Sequence, residues 1–149
     1  MEIELKNFDK VLKIADKYPA VAEKHVGQGI AKIFVKLIGG FGVNAPVGVT
    51  GHLRDNWKTN IGRFEGSLKS GQEYSGSVEF GTRPHNVAPS QLREWAVKKG
   101  LNEFAVAKSI AKKGTKANPF VKKTIDGNSS AMESVLKETL QNITKDVVN

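Results

Sequence analysis

The side chains from which a reactive site could be assembled are His25, His52 and His85, and the carboxylates Asp55, Glu79 and Glu94. The histidines lie far apart. None sits in the His-Glu-x-x-His spacing that puts two imidazoles and a general base on one helical face. The carboxylates show no dyad spacing. Glu79 reads as the polar side of a strand, where Arg54 or Arg83 would pair with it bidentately and fix a turn. There is no cysteine, so thiolate chemistry and cysteine-ligated zinc are excluded. No Gly-x-Ser-x-Gly elbow occurs. Neither Gly27-Gln28-Gly29 nor Gly39-Gly40-Phe41-Gly42 follows a strand with dinucleotide-loop spacing. These residues predict no catalysis, no cofactor and no metal. An enzyme such as a nuclease or peptidoglycan hydrolase would need a convergent acidic cleft containing Asp55, Glu79 or Glu94.

Charge is the stronger chemical signal. The chain has 149 residues and a formal charge of +8. Between Arg93 and Lys123 nine basic residues (Arg93, Lys98, Lys99, Lys108, Lys112, Lys113, Lys116, Lys122 and Lys123) face only Glu94 and Glu103. Such a block suits a solvated surface, an acidic protein partner or nucleic acid, and the sequence leaves all three open. Trp57, Tyr74 and Trp95 would stack on bases only if they lined a basic groove; two of them fall in periodic apolar patterns that favour the core.

The elements that must carry these residues can be read from periodicity. The length suits one domain, residues 1–149. The start, Met1-Glu2-Ile3-Glu4, lacks the pattern of a secretory signal. The apolar stretch Val26–Val49 is broken by Lys32, Lys36 and glycines, which predicts no membrane span. Phe8, Val11, Leu12 and Ala15 predict a short opening helix. Ala22, Val26, Ile30, Ile33 and Leu37, widened by Phe34 and Ile38, form one face of a long helix. Gly39-Gly40-Phe41-Gly42 is read as its end. Thr50 is read as the cap of a short turn that Leu53 anchors.

Trp57, Thr59 and Ile61 alternate as a strand, as do Tyr74, Gly76, Val78 and Phe80, and the two are expected to pair. Between them, Glu65–Glu73 reads as a mobile hairpin. Ser90 is expected to cap a helix that ends at Gly100. Another helix starts near Asn102 and stops at Gly114, with Phe104, Ala107, Ile110 and Ala111 as its apolar face. Ser130 and Glu133 have capping-box spacing for a final helix with the stripe Met132, Leu136, Leu140, Ile143 and Val147. The fold class is α+β: a small antiparallel sheet packed against a long N-terminal helix and C-terminal helices.

Three segments together resemble the small tail-completion (neck, or head–tail joining) proteins of tailed bacteriophages. They are Thr50-Gly51-His52-Leu53-Arg54-Asp55-Asn56-Trp57, Tyr74–Pro84 with Glu79-Phe80-Gly81-Thr82 at its centre, and Gly114-Thr115-Lys116-Ala117-Asn118-Pro119-Phe120. Thr50, Gly51, Leu53 and Arg54 match the family's first element. Glu79, Phe80, Gly81 and Thr82 match its most specific one, and Pro119 and Phe120 its approach to the terminal helix. The likeness runs from about Val21 to Leu140.

The resemblance implies a structural subunit without enzymatic activity, in a ring that is usually hexameric. It implies a place at the head–tail interface of the virion, and in the host cytoplasm during assembly. Its partners would be copies of itself, the head connector and tail tube proteins, with viral DNA passing through the ring in transient contact, and no membrane. Lys98, Lys99, Lys108, Lys112, Lys113, Lys116, Lys122 and Lys123 would then face DNA or a protein neighbour. The competing reading is a basic nucleic-acid-binding module.

Overall fold

A computed structural model describes residues 1–5 and 16–148; the opening helix expected over Phe8–Ala15 lies outside them. Pro19 supplies the first turn of helix α1 (Pro19–Asn44), where its missing N–H costs nothing. The stripe Ala22, Val26, Ile30, Ile33, Phe34 and Leu37 is buried, as its spacing requires. Helix α1 does not stop at the glycine run. It continues for 26 residues through Gly39–Gly42, and Phe41 is fully buried. The reason is a close approach to the last helix, where a Cβ on Gly40 would stand 2.5 Å from Thr124 Cγ2. A Cβ on Gly29 would likewise collide with the Thr139 hydroxyl. At Gly29 and Gly40 glycine lets the neighbouring helix in, and that contact offsets its poor helix propensity; Gly39 and Gly42 meet nothing within 4 Å.

By length and composition alone α1 is long and apolar enough to cross a membrane. Its apolar stripe nevertheless faces the protein core.

After the short helix α2 (His52–Asp55), strand β2 (Trp57–Ile61) turns into β3 (Gly66–Ser70). The N-terminal strand β1 (Glu2–Leu5) pairs on the other side of β3, giving a three-stranded antiparallel sheet in the order β1-β3-β2. Register is set by Thr59↔Leu68 on one side and Ile3↔Leu68 on the other. The segment expected to be a mobile hairpin therefore contains the central strand. Gly66, Leu68 and Ser70 are its buried face, two residues apart as a strand demands. A Cβ on Gly66 would lie 2.5 Å from Ile30 Cγ2 and 2.9 Å from Phe34 Cζ, so the sheet lies directly on α1.

The segment Tyr74–Phe80 is not a strand. Ser75–Phe80 forms helix α3. Helix α4 (Pro89–Lys99) begins with Pro89 in its first turn and Ala88 at the cap position, not with Ser90 as cap. It ends in a Schellman turn: Gly100, at φ 67°, donates to the Val97 carbonyl at 3.1 Å and Leu101 donates to Ala96 at 2.8 Å. Helix α5 (Glu103–Lys113) is capped by the Asn102 side chain, which accepts from the Phe104 and Ala105 amides.

The final helix α6 (Phe120–Val148) starts ten residues before the expected capping box and runs 29 residues through it. Its buried face is Phe120, Val121, Thr124, Val135, Thr139 and Ile143, packed on α1. Leu136, expected in that face, is exposed. The fold is α+β, with a small antiparallel sheet and long terminal helices.

Near one end of this helix pair His25 Nε2 meets Asp146 Oδ2 at 2.8 Å. The His25 hydrogen bond, with the nearby positive charges, holds the Asp146 carboxyl below its usual range. The stabilisation is present above the unfolded carboxylate pKa and is lost as pH falls through the lowered folded value. Asp146→Asn should therefore flatten the acid side of a urea-midpoint-versus-pH curve below about pH 4; a curve parallel to wild type would disprove the linkage. For the close approach at Gly66, Gly66→Val should cost ~1–3 kcal/mol by overpacking. Gly127→Ala, which meets nothing within 4 Å, should gain ~0.5–1 kcal/mol in the α6 interior. Equal urea midpoints for the two variants would refute this account.

Candidate functional site

A helix starting at Asn118-Pro119-Phe120 carries its own problem. Its first amides need acceptors, and the residue at its cap position is Pro119, whose side chain has none to offer. Two of the four acceptors come from elsewhere in the chain. Glu79 Oε2 accepts the Val121 amide at 2.8 Å and Glu79 Oε1 accepts the Lys122 amide at 3.0 Å. Phe120 donates to Asn118 O at 2.7 Å and Lys123 donates to Pro119 O at 3.0 Å. All four amides at the α6 start thus have partners, and a carboxylate sits at the positive end of the helix dipole.

Glu79 is 4% exposed and its neighbour Phe80 is 75% exposed. The sequence reading had them the other way round, with Phe80 as core anchor and Glu79 on the polar face. A strand would have alternated them that way; the helical turn of α3 rotates Glu79 inward. Glu79 forms no ion pair with Arg54 or Arg83. Arg54 instead forks onto Asp55, with Nε to Oδ1 at 2.7 Å and Nη2 to Oδ2 at 2.8 Å. That bond holds the Asp55 carboxyl below its usual range and raises the arginine.

The second and third sequence segments are zipped together beyond Glu79. Asn118 donates to Val78 O at 2.8 Å. Thr82 and Thr115 form an antiparallel bridge, with amide-to-carbonyl distances of 3.1 and 3.2 Å and hydroxyls 3.0 Å apart. Gly81 and Gly114 both hold positive φ, 73° and 71°. A Cβ on Gly81 would stand 2.5 Å from Thr115 O, and one on Gly114 would collide with Thr82 O. Only glycine fits at either place.

The first segment joins through aromatic contact. Leu53 is buried and its carbonyl accepts the Trp57 Nε1 hydrogen at 3.1 Å. Trp57 stacks on Phe41 with centroids 4.0 Å apart, and Phe120 meets both rings edge-on at 6.4 and 6.1 Å. Thr50 is exposed and caps nothing; Gly51, at φ 72°, takes the cap position of α2. Pro119 is half-buried at the turn. Leu53, Glu79, Gly81, Thr82, Pro119 and Phe120 are thus brought to one junction at the α6 start. Thr50, Arg54 and Phe80 contribute nothing to its interior.

The junction is poorly suited to acid–base work. Both Glu79 oxygens are occupied by backbone amides, and Asp55 is held by Arg54. Among the described residues no group of three or more His, Asp or Glu could hold a metal ion. An open groove of about 740 Å³ runs elsewhere, between α1 and α6, floored by Ala31, Val35 and Ala131. Its polar groups include Lys32 and Glu138, already paired at 2.7 Å.

Of the basic residues, Lys98 donates to the Gly48 and Val49 carbonyls at 3.1 and 3.4 Å. Lys122 pairs with Asp126 at 2.6 Å. Lys99, Lys108, Lys112, Lys113, Lys116 and Lys123 are exposed.

Comparison with known protein families, curated proteins and solved structures gives no match to this chain.

What sequence reading missed is the role of Glu79. The available signal was a helix start with Pro119 at its cap, which leaves amides that need an acceptor from another part of the chain. Glu79→Ala should cost ~1–3 kcal/mol by orphaning two amides at a buried helix start. Glu79→Gln, which keeps one acceptor, should recover part of that. Amide hydrogen exchange at Val121 and Lys122 should quicken in Glu79→Ala, and unchanged protection there would sink the capping assignment.

Proposed function

We propose that this chain is a non-enzymatic structural subunit of a phage neck or tail-completion ring, joining the tail to the head connector around the DNA passage. The observation that carries this reading is the junction itself. The three segments that resemble the neck family are the ones that meet, and they meet to build a framework. Glu79 caps α6 and Thr82 bridges to Thr115. Residues that serve a framework are what an assembly subunit needs. A ring uses heterologous contacts between different patches of each copy. The exposed Phe80, turned outward beside the buried Glu79, is suited to such a contact.

The exposed lysines keep a nucleic-acid-binding module as the second reading. It would show as binding that weakens steeply with salt.

Deleting the gene in its phage should leave filled heads and finished tails that fail to join, visible by electron microscopy and restored by supplying the chain in trans. Normal joined particles without it would end the neck reading. Phe80→Ser should leave the isolated chain folded, because the ring is exposed, yet reduce joined particles. Full joining by that variant would remove Phe80 from the contact.

A further inference from the structure

The helical hairpin of α4 and α5 closes on itself through small residues. Ala96 is fully buried and Ala107 nearly so, which lets the two helices approach. Three apolar side chains of the hairpin stand in solvent. Val97 is 71% exposed, Leu101 49% and Phe104 63%. Phe104, Lys108 and Lys112 succeed one another at four-residue spacing, so they share one face of α5. Lys99 lies just before the Gly100 turn. Among the described residues none of these three lysines has a carboxylate within ion-pair distance.

We propose that this hairpin face docks an acidic protein whose contact surface also carries apolar side chains. Charge selects the partner. A second copy presenting this same face would add lysines to lysines, whereas a carboxylate-rich surface would neutralise Lys99, Lys108 and Lys112. Apolar exposure separates protein from nucleic acid. A phosphate backbone could neutralise the lysines but would leave Val97, Leu101 and Phe104 in water; a protein surface would cover them. Clusters of exposed apolar side chains rimmed by charge mark protein contacts. The inference concerns a face apart from the three-segment junction and does not require the neck reading.

The test uses the full chain and fluorescence anisotropy with three labelled probes of matched charge. They are a helical peptide with leucines along one face flanked by glutamates, an all-glutamate peptide, and a duplex DNA. The leucine–glutamate peptide should bind tightest at physiological salt. Val97→Ser with Phe104→Ser, and separately Lys108→Glu with Lys112→Glu, should each weaken it by about tenfold or more. Circular dichroism should show both variants folded, since all four side chains are exposed. Equal binding of the two peptides, or none, overturns the proposal. So does tighter binding of DNA that ignores Val97→Ser and Phe104→Ser, which would assign the face to nucleic acid and still leave the joining experiment free to succeed or fail on its own.

Discussion

One carboxylate sets the conditions for the rest of the molecule. Glu79 is removed from water, and an unpaired charge in that position would be costly. Two amides at the start of α6 meet it, and the helix dipole adds to their effect. The arrangement works in both directions. Without the carboxylate the helix has orphan donors; without the helix the carboxylate has no reason to be inside. Because the bond fixes where α6 begins, it also fixes Phe120 against Phe41 and Trp57. From that aromatic cluster α6 runs back along α1, with Gly40 facing Thr124 and Gly29 facing Thr139. Local capping, aromatic packing and the long helix–helix contact are therefore one connected arrangement.

The parts legible in the sequence were those whose periodicity was long or whose stop signals stood alone. The stripe of α1 repeats over several turns, and Gly100, Asn102 and Gly114 sit where isolated caps should. The parts misread were short or depended on distant partners. Six residues from Ser75 to Phe80 fit a period of two nearly as well as one helical turn, and only the demand for an acceptor at Val121 decides between them. Gly40 looked like part of a stop because its reason for being there is Thr124, eighty-four positions away. Ser130 and Glu133 have the spacing of a helix start but lie inside a helix already propagating from Phe120, where a cap has nothing to satisfy. Thr50 failed as a cap because Gly51, in the left-handed region, took the position.

The candidate site was legible as a set of segments and not as a set of roles. The three segments singled out in the sequence come together at the start of α6. Which side chain points inward was misread for Tyr74–Pro84, where Glu79 is buried and Phe80 exposed. An aromatic in solvent beside a charge in the core reverses the usual preference. Such a reversal is stable only because both carboxylate oxygens accept backbone amides, and it leaves the aromatic ring in solvent.

The bridge between Thr82 and Thr115 has one more implication. It brings the chain leaving for the hairpin and the chain returning from it side by side, and the Lys98 bonds to the Gly48 and Val49 carbonyls tie the excursion back to the body. Residues there can be lengthened, shortened or exchanged while the two glycines and two threonines at its neck hold the crossing. Evolution could re-tailor this appendage to a new neighbour without touching the packed helices, and an engineer could transplant it in the same way.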